Sequence, residues 1–137
     1  MTGKPKVAFV CRHNSCRSQI AEALGKHFAS DVFESFSGGT ELAPKINQDA
    51  VRLIKKIYSI DMEKTQHSKY VDELPPVDIV IKMGCDVVCP FLESKYEEDW
   101  GLEDPTGKSD EEFGVIIKKI EQNIKELASK IPSVDLK

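Results

Sequence analysis

Lys6-Val7-Ala8-Phe9-Val10 is a short apolar run with β-branched residues, and it predicts a buried strand. Beyond the polar stretch that follows, Ile20, Leu24 and Phe28 recur every four residues with Ala21 and Ala23 between them, which predicts an amphipathic helix. Val32-Phe33-Glu34-Ser35-Phe36-Ser37 alternates apolar and polar positions and predicts a second strand, broken by Gly38-Gly39. Asn47 is placed to cap a helix whose apolar face is Ala50, Val51, Leu53, Ile54 and Ile57. A polar stretch around His67 runs to Pro75-Pro76, a firm boundary because proline pushes the residue before it out of helix. Val77-Asp78-Ile79-Val80-Ile81 predicts a third strand, apolar enough to be central, and a short fourth strand is expected near Glu98–Trp100. Ser109 with Glu112 three residues on is a capping-box pattern. It opens a long helix carrying Phe113, Ile116, Ile117, Ile120, Ile124, Leu127 and Ile131 on one face, with Lys118, Lys119, Lys125 and Lys130 on the solvated side.

Strands alternating with helices predict an α/β fold, a three-layer sandwich around a parallel sheet. In such sheets ligands bind beyond the carboxyl ends of the strands, where the strand order reverses. Cys11 follows the first strand and Cys85 the third, so both are expected on that edge.

The polar stretch between the first strand and the first helix reads Cys11-Arg12-His13-Asn14-Ser15-Cys16-Arg17-Ser18. It meets a helix N-terminus, where unpaired N–H groups and the helix dipole favour an anion. A cysteine opens the loop and Arg17 closes it, an arrangement suited to cradle a tetrahedral oxyanion above a thiol. Surroundings of that kind favour a thiolate. A guanidinium offers planar, paired donors to two anion oxygens. Ser18 is in reach of the Cys11 sulfur, and Asn14 tolerates the positive φ that an inward-wrapped loop demands. The bland alternative is a buried structural cysteine beside a surface arginine.

With 137 residues the chain is expected to form a single domain, 1–137, large enough to bury a core. A net charge of −4 argues against nucleic acid as the main partner. No apolar run approaches about eighteen residues and no signal-peptide pattern is present, so a cytoplasmic protein away from the membrane is expected. In that setting four cysteines point to catalysis, redox chemistry or metal binding rather than to a disulfide frame.

The run from Cys11 to Glu22 resembles the signature loop of the low-molecular-weight phosphotyrosine phosphatase superfamily. Gln19 stands where the phosphatases usually carry proline and the thioredoxin-coupled arsenate reductases of that superfamily carry glutamine. Ser37-Gly38-Gly39-Thr40-Glu41 and Asp104-Pro105-Thr106-Gly107-Lys108 are similar to the same reductases, and the resemblance covers nearly the whole chain. It implies a four-stranded parallel sheet with helices on both faces, and a monomer.

The resemblance also implies roles. Cys11 attacks arsenate, Arg17 and the loop from Arg12 to Ser18 (His13, Asn14, Ser15 and Cys16 included) bind the oxyanion, and Asp104 protonates the departing oxygen. Cys85 then attacks Cys11, arsenite leaves, and Cys89 takes over the disulfide for reduction by thioredoxin. Phosphate and sulfate are expected competitors. No tightly bound cofactor is implied beyond the redox-active cysteines. Asn14, Glu22 and Ser37 match a potassium site of some relatives, although His67-Ser68-Lys69 places lysine where an acidic ligand would stand.

Positions four apart in an intact helix hold their Cβ atoms too far apart for a relaxed disulfide, whose Cβ···Cβ distance is about 3.5–4.5 Å. A Cys85–Cys89 bond therefore calls for a loop-like segment or one that unwinds on oxidation. The compact Cys85-x3-Cys89 spacing resembles a branch served by thioredoxin or by a small thiol, and the donor stays open between them. Three rival readings remain: a tyrosine phosphatase with idle distal cysteines, a non-catalytic oxyanion or redox sensor, and a zinc site, which the adjacent arginine opposes. Against the phosphatase stand Gln19 and the lack of an aromatic directly after Asp104-Pro105.

Overall fold

The computed structural model describes residues 4–12, 16–41, 45–84, 95–103 and 105–133. Strand β1 spans Lys6–Val10, helix α1 Arg17–Ala29 and strand β2 Glu34–Gly38. Helix α2 follows at Gln48–Tyr58, then the single turn α3 at Met62–Thr65 and a 3-10 turn at Val71–Glu73. Strand β3 is Ile79–Lys82, strand β4 is Tyr96–Asp99, and helix α4 runs over Asp110–Lys130.

The four strands form one parallel sheet in the order β2-β1-β3-β4. Val10 is level with Gly38 on one side and with Lys82 on the other, and Lys82 with Asp99, so all four strands end at one edge. The chain leaves β1 toward β2 through α1 and later returns to the other side of β1 as β3. The order therefore reverses at the end of β1, directly before Cys11.

Alternation along β1 divides the core. Val7 and Phe9 face a large apolar cluster with Ile20, Leu24, Ile54, Phe113, Ile117, Ile120 and Ile124, which joins α1, α2 and α4 on one side of the sheet. Ala8 and Val10 face the other side with Val77 and Val80, against Val71 of the 3-10 turn and Leu74 just after it. The expected three layers are present, but unequal in thickness among the described residues.

The predicted elements are recovered with shifted ends. β2, β3 and β4 begin and end one or two residues from the expected positions, since hydrogen-bond register rather than apolar pattern decides where pairing stops. The Asn47 side chain accepts from the Asp49 and Ala50 N–H groups, as a cap should, and Ser109 accepts from Glu112 N at 3.2 Å. The apolar face of α4 is buried as expected.

Two expectations about faces are corrected. Ile57 is 52% exposed rather than part of the buried face of α2. And α1 is not simply amphipathic: every residue from Arg17 to Gly25 is buried. The sheet and α4 cover its apolar side, while β2 and the segment 66–69 close over its polar side.

Candidate active site

Cys11 leaves the end of β1 with its N–H donated to Gly38 O at 3.3 Å, so the neighbouring strand fixes its start. Its side chain is buried, and its Sγ lies 2.8 Å from the Ser18 Oγ in the first turn of α1. The contact spans the loop and sets the sulfur directly beneath the helix N-terminus, where the dipole and the first N–H groups favour negative charge. Cys16 is the residue that precedes α1, also buried, and among the described residues neither it nor Cys11 is in a disulfide.

Arg17 is the first residue of α1 and is 8% exposed. Its Nη1 donates to Leu102 O at 2.7 Å and Met83 O at 2.9 Å, with Gly84 O at 3.3 Å. Those carbonyls belong to the chain leaving β3 and the chain leaving β4, so one guanidinium ties two strand ends to the helix above Cys11. Arg12 follows a different course. Its side chain is about half exposed and pairs with Glu41, while its carbonyl accepts from Thr40 N at 3.0 Å and Glu41 N at 2.9 Å. The described part of Arg12 thus braces the loop against the turn after β2.

Behind the loop lies a buried polar group that the sequence pattern did not assemble. Gln19 Nε2 donates to His67 O at 3.0 Å, and Gln66 Nε2 donates to Gln19 Oε1 at 2.7 Å and to Gln19 O at 3.0 Å. The Glu22 carboxylate accepts from Ser37 Oγ at 2.5 Å and Lys26 Nζ at 2.6 Å, with Lys69 Nζ at 3.4 Å. Two ammonium groups therefore already balance the carboxylate that matches a potassium ligand. Among the described residues no buried side-chain nitrogen or oxygen lacks a hydrogen-bond partner.

The structure thus brings together Cys11, Cys16, Arg17 and Ser18 at the switch point, with Glu22 and Ser37 paired behind them. His13, Asn14, Ser15, Cys85, Cys89 and Asp104 lie outside the described residues, but the chain enters two of their segments at Gly84 and Glu103, beside Arg17's carbonyl partners. Sequence reasoning missed Gln66 and the carbonyls of Met83, Gly84 and Leu102, whereas Lys69, expected where an acidic ligand would stand, does face Glu22. A main-chain carbonyl carries no residue-type signal, and Gln66 reads as part of a polar loop.

No helix among the described residues is long and apolar enough to cross a membrane. Residues 6–135 match the low-molecular-weight phosphotyrosine protein phosphatase family. An arsenate reductase of Brevibacillus brevis is 34% identical over 131 residues, which covers 93% of this chain and 97% of the relative. Among solved structures, an arsenate reductase in the phosphate-binding state matches with a TM-score of 0.83 at 32% identity, covering 93% of this chain and 98% of that one. The thioredoxin-dependent arsenate reductase of Corynebacterium glutamicum matches with a TM-score of 0.76 at 32% identity, covering 98% of this chain and 65% of that one. With a family match across nearly its whole length, and Cys11 and Arg17 gathered at the switch point of a parallel sheet, the chain belongs to the low-molecular-weight phosphotyrosine protein phosphatase family.

Proposed function

We propose that the protein reduces arsenate to arsenite, using Cys11 as nucleophile and Cys85 and Cys89 as a thiol relay re-reduced by thioredoxin. The observation that carries the reading is the Arg17 cluster. It joins Arg17, at the start of the helix beside Cys11, to the ends of β3 and β4, the strands whose exits lead in sequence to Cys85 and to Asp104. Relatives named as arsenate reductases, one of them thioredoxin-dependent, support the same reading.

The chemistry balances as follows. The Cys11 sulfur forms a bond to arsenic(V), and an arsenate oxygen leaves as water after Asp104 supplies a proton. Ser18, 2.8 Å from the sulfur, stabilises it as nucleophile and as leaving group. The Cys85 thiolate then attacks the Cys11 sulfur. The S–As bond breaks, its electron pair stays on arsenic, and arsenite departs as arsenic(III). Cys89 attacks Cys85, which frees Cys11 and leaves a Cys85–Cys89 disulfide. A thioredoxin dithiol reduces that disulfide. No step needs a potassium ion, because Lys26 and Lys69 supply the charge that faces Glu22.

Gln19 favours this over the phosphatase reading. Its side-chain amide bonds to His67 O and Gln66, and a proline at that position would forfeit both.

The decisive experiment is arsenate-dependent NADPH consumption through thioredoxin and its reductase. It is run on wild type, Cys85→Ser and Cys89→Ser, with hydrolysis of a phosphotyrosine analogue read in parallel. Sustained turnover lost in both variants, with hydrolysis kept, is the expected result. Turnover with a small-thiol donor alone reassigns the reductant. Fast hydrolysis indifferent to both substitutions, with no arsenate reduction by any donor, makes the protein a phosphatase.

A further inference from the structure

Gly84 is the last described residue after β3 and adopts φ +97°, a conformation that side chains rarely enter. A Cβ placed on it would stand 2.6 Å from Leu102 N and 2.7 Å from Leu102 O, inside any normal contact distance, and both are backbone atoms that cannot swing aside. The glycine therefore lets the chain leaving β3 and the chain leaving β4 touch. Arg17 gives that closeness a use. Its Nη1 carries two hydrogens, and three carbonyls converge on it: Leu102 O at 2.7 Å, Met83 O at 2.9 Å and Gly84 O at 3.3 Å.

We propose that Gly84 is a positioning residue for oxyanion binding: its missing side chain brings the Leu102 carbonyl onto Arg17, so that Nη1 is held by main chain and the Nε–Nη2 edge stands preset as the fork for the anion. A guanidinium has five donors in one plane, so fixing one nitrogen fixes the direction of the others. Arginine ordered in this way loses its rotamer freedom on folding rather than on binding, which strengthens anion capture. The proposal rests on the anion-binding role of Arg17 given above.

The test is the affinity for inorganic phosphate, by titration calorimetry, together with the KM for arsenate. Gly84→Ala is expected to weaken phosphate binding about 10- to 100-fold, the range for losing a well-placed charged hydrogen bond. Gly101→Ala is the control. It also sits at positive φ, +57°, but nothing lies within 4 Å of its Cβ position, so its phosphate affinity should stay close to that of wild type. In an Arg17→Lys background Gly84→Ala should add little, because its effect passes through the guanidinium.

Wild-type phosphate affinity in folded Gly84→Ala, or losses that simply add in the double variant, overturns the proposal. Nitrogen-15 NMR of the wild-type guanidinium keeps it testable if Gly84→Ala fails to fold. Separate Nη1 and Nη2 signals before anion is added, with phosphate then shifting Nε and Nη2 while Nη1 stays put, are expected. One averaged Nη signal, or a phosphate shift centred on Nη1, overturns the proposal. A wild-type protein that binds neither phosphate nor arsenate would instead overturn the anion-binding reading itself, and this inference with it.

Discussion

The first half of α1 and one face of α4 are both buried, by different means. The buried side chains of α4 are Phe113, Ile116, Ile117, Ile120, Ile124 and Leu127, all apolar, with its charged residues turned outward. The buried residues of α1 include Arg17, Ser18, Gln19 and Glu22, each held by a named partner. Apolar burial is non-directional, so α4 contributes stability without specifying any atom's position closely. Buried hydrogen bonds are directional and costly to leave unmade, so α1 fixes positions more than it adds stability. One helix secures the fold, and the other aims the site.

Substitutions can break this contrast. Phe113 is fully buried, and Phe113→Ala should lower unfolding free energy by about 3–5 kcal/mol while leaving kcat/KM of the folded fraction near wild type. Chemical denaturation with parallel kinetics reads both, and an equal loss of activity would mean that α4 also aims the site. Ser18→Ala should do the reverse. Removing the hydroxyl 2.8 Å from Sγ should lower kcat about 10- to 100-fold, with unfolding free energy changed by no more than about 1 kcal/mol.

Gln66→Ala falls between. It strips the buried Gln19 carbonyl groups of a donor, and a loss of about 1–3 kcal/mol is expected. A fall in phosphate affinity measured on the same sample would show that this brace reaches the loop.

The smallest effect belongs to the surface joint between α2 and α4. Asp110 accepts from Arg52 at 2.7 and 3.0 Å, and that hydrogen bonding holds its carboxyl below the usual aspartate range. A carboxylate depressed in the folded state contributes stability above its unfolded pKa, and the contribution is lost as pH falls through the folded value. Asp110→Asn should therefore lower the melting temperature slightly at neutral pH and not at all in strong acid. Melting curves across that range check the sign.

These differences also mark what was legible beforehand. Apolar periodicity placed β1, the buried face of α4 and the parallel α/β class, because repeated burial on one face leaves a repeated residue pattern. It failed at Ile57 and on the polar side of α1, where exposure depends on which distant segment happens to cover a face. The Cys11-to-Ser18 stretch announced its chemistry through residue type and spacing, and Ser18 does lie against Cys11.

Residue order and type alone establish the succession of strands and helices, the cysteine-and-arginine loop at a helix start, and the likeness to a family of thiol enzymes. What holds Arg17 emerges only in the folded chain. Its partners are the main-chain carbonyls of Met83, Gly84 and Leu102, more than sixty residues away, brought together because β1, β3 and β4 end on one edge of the sheet. Every residue has a carbonyl, so no residue pattern distinguishes the three that matter. Their convergence is a property of the register, of the strand order and of the bare space at Gly84.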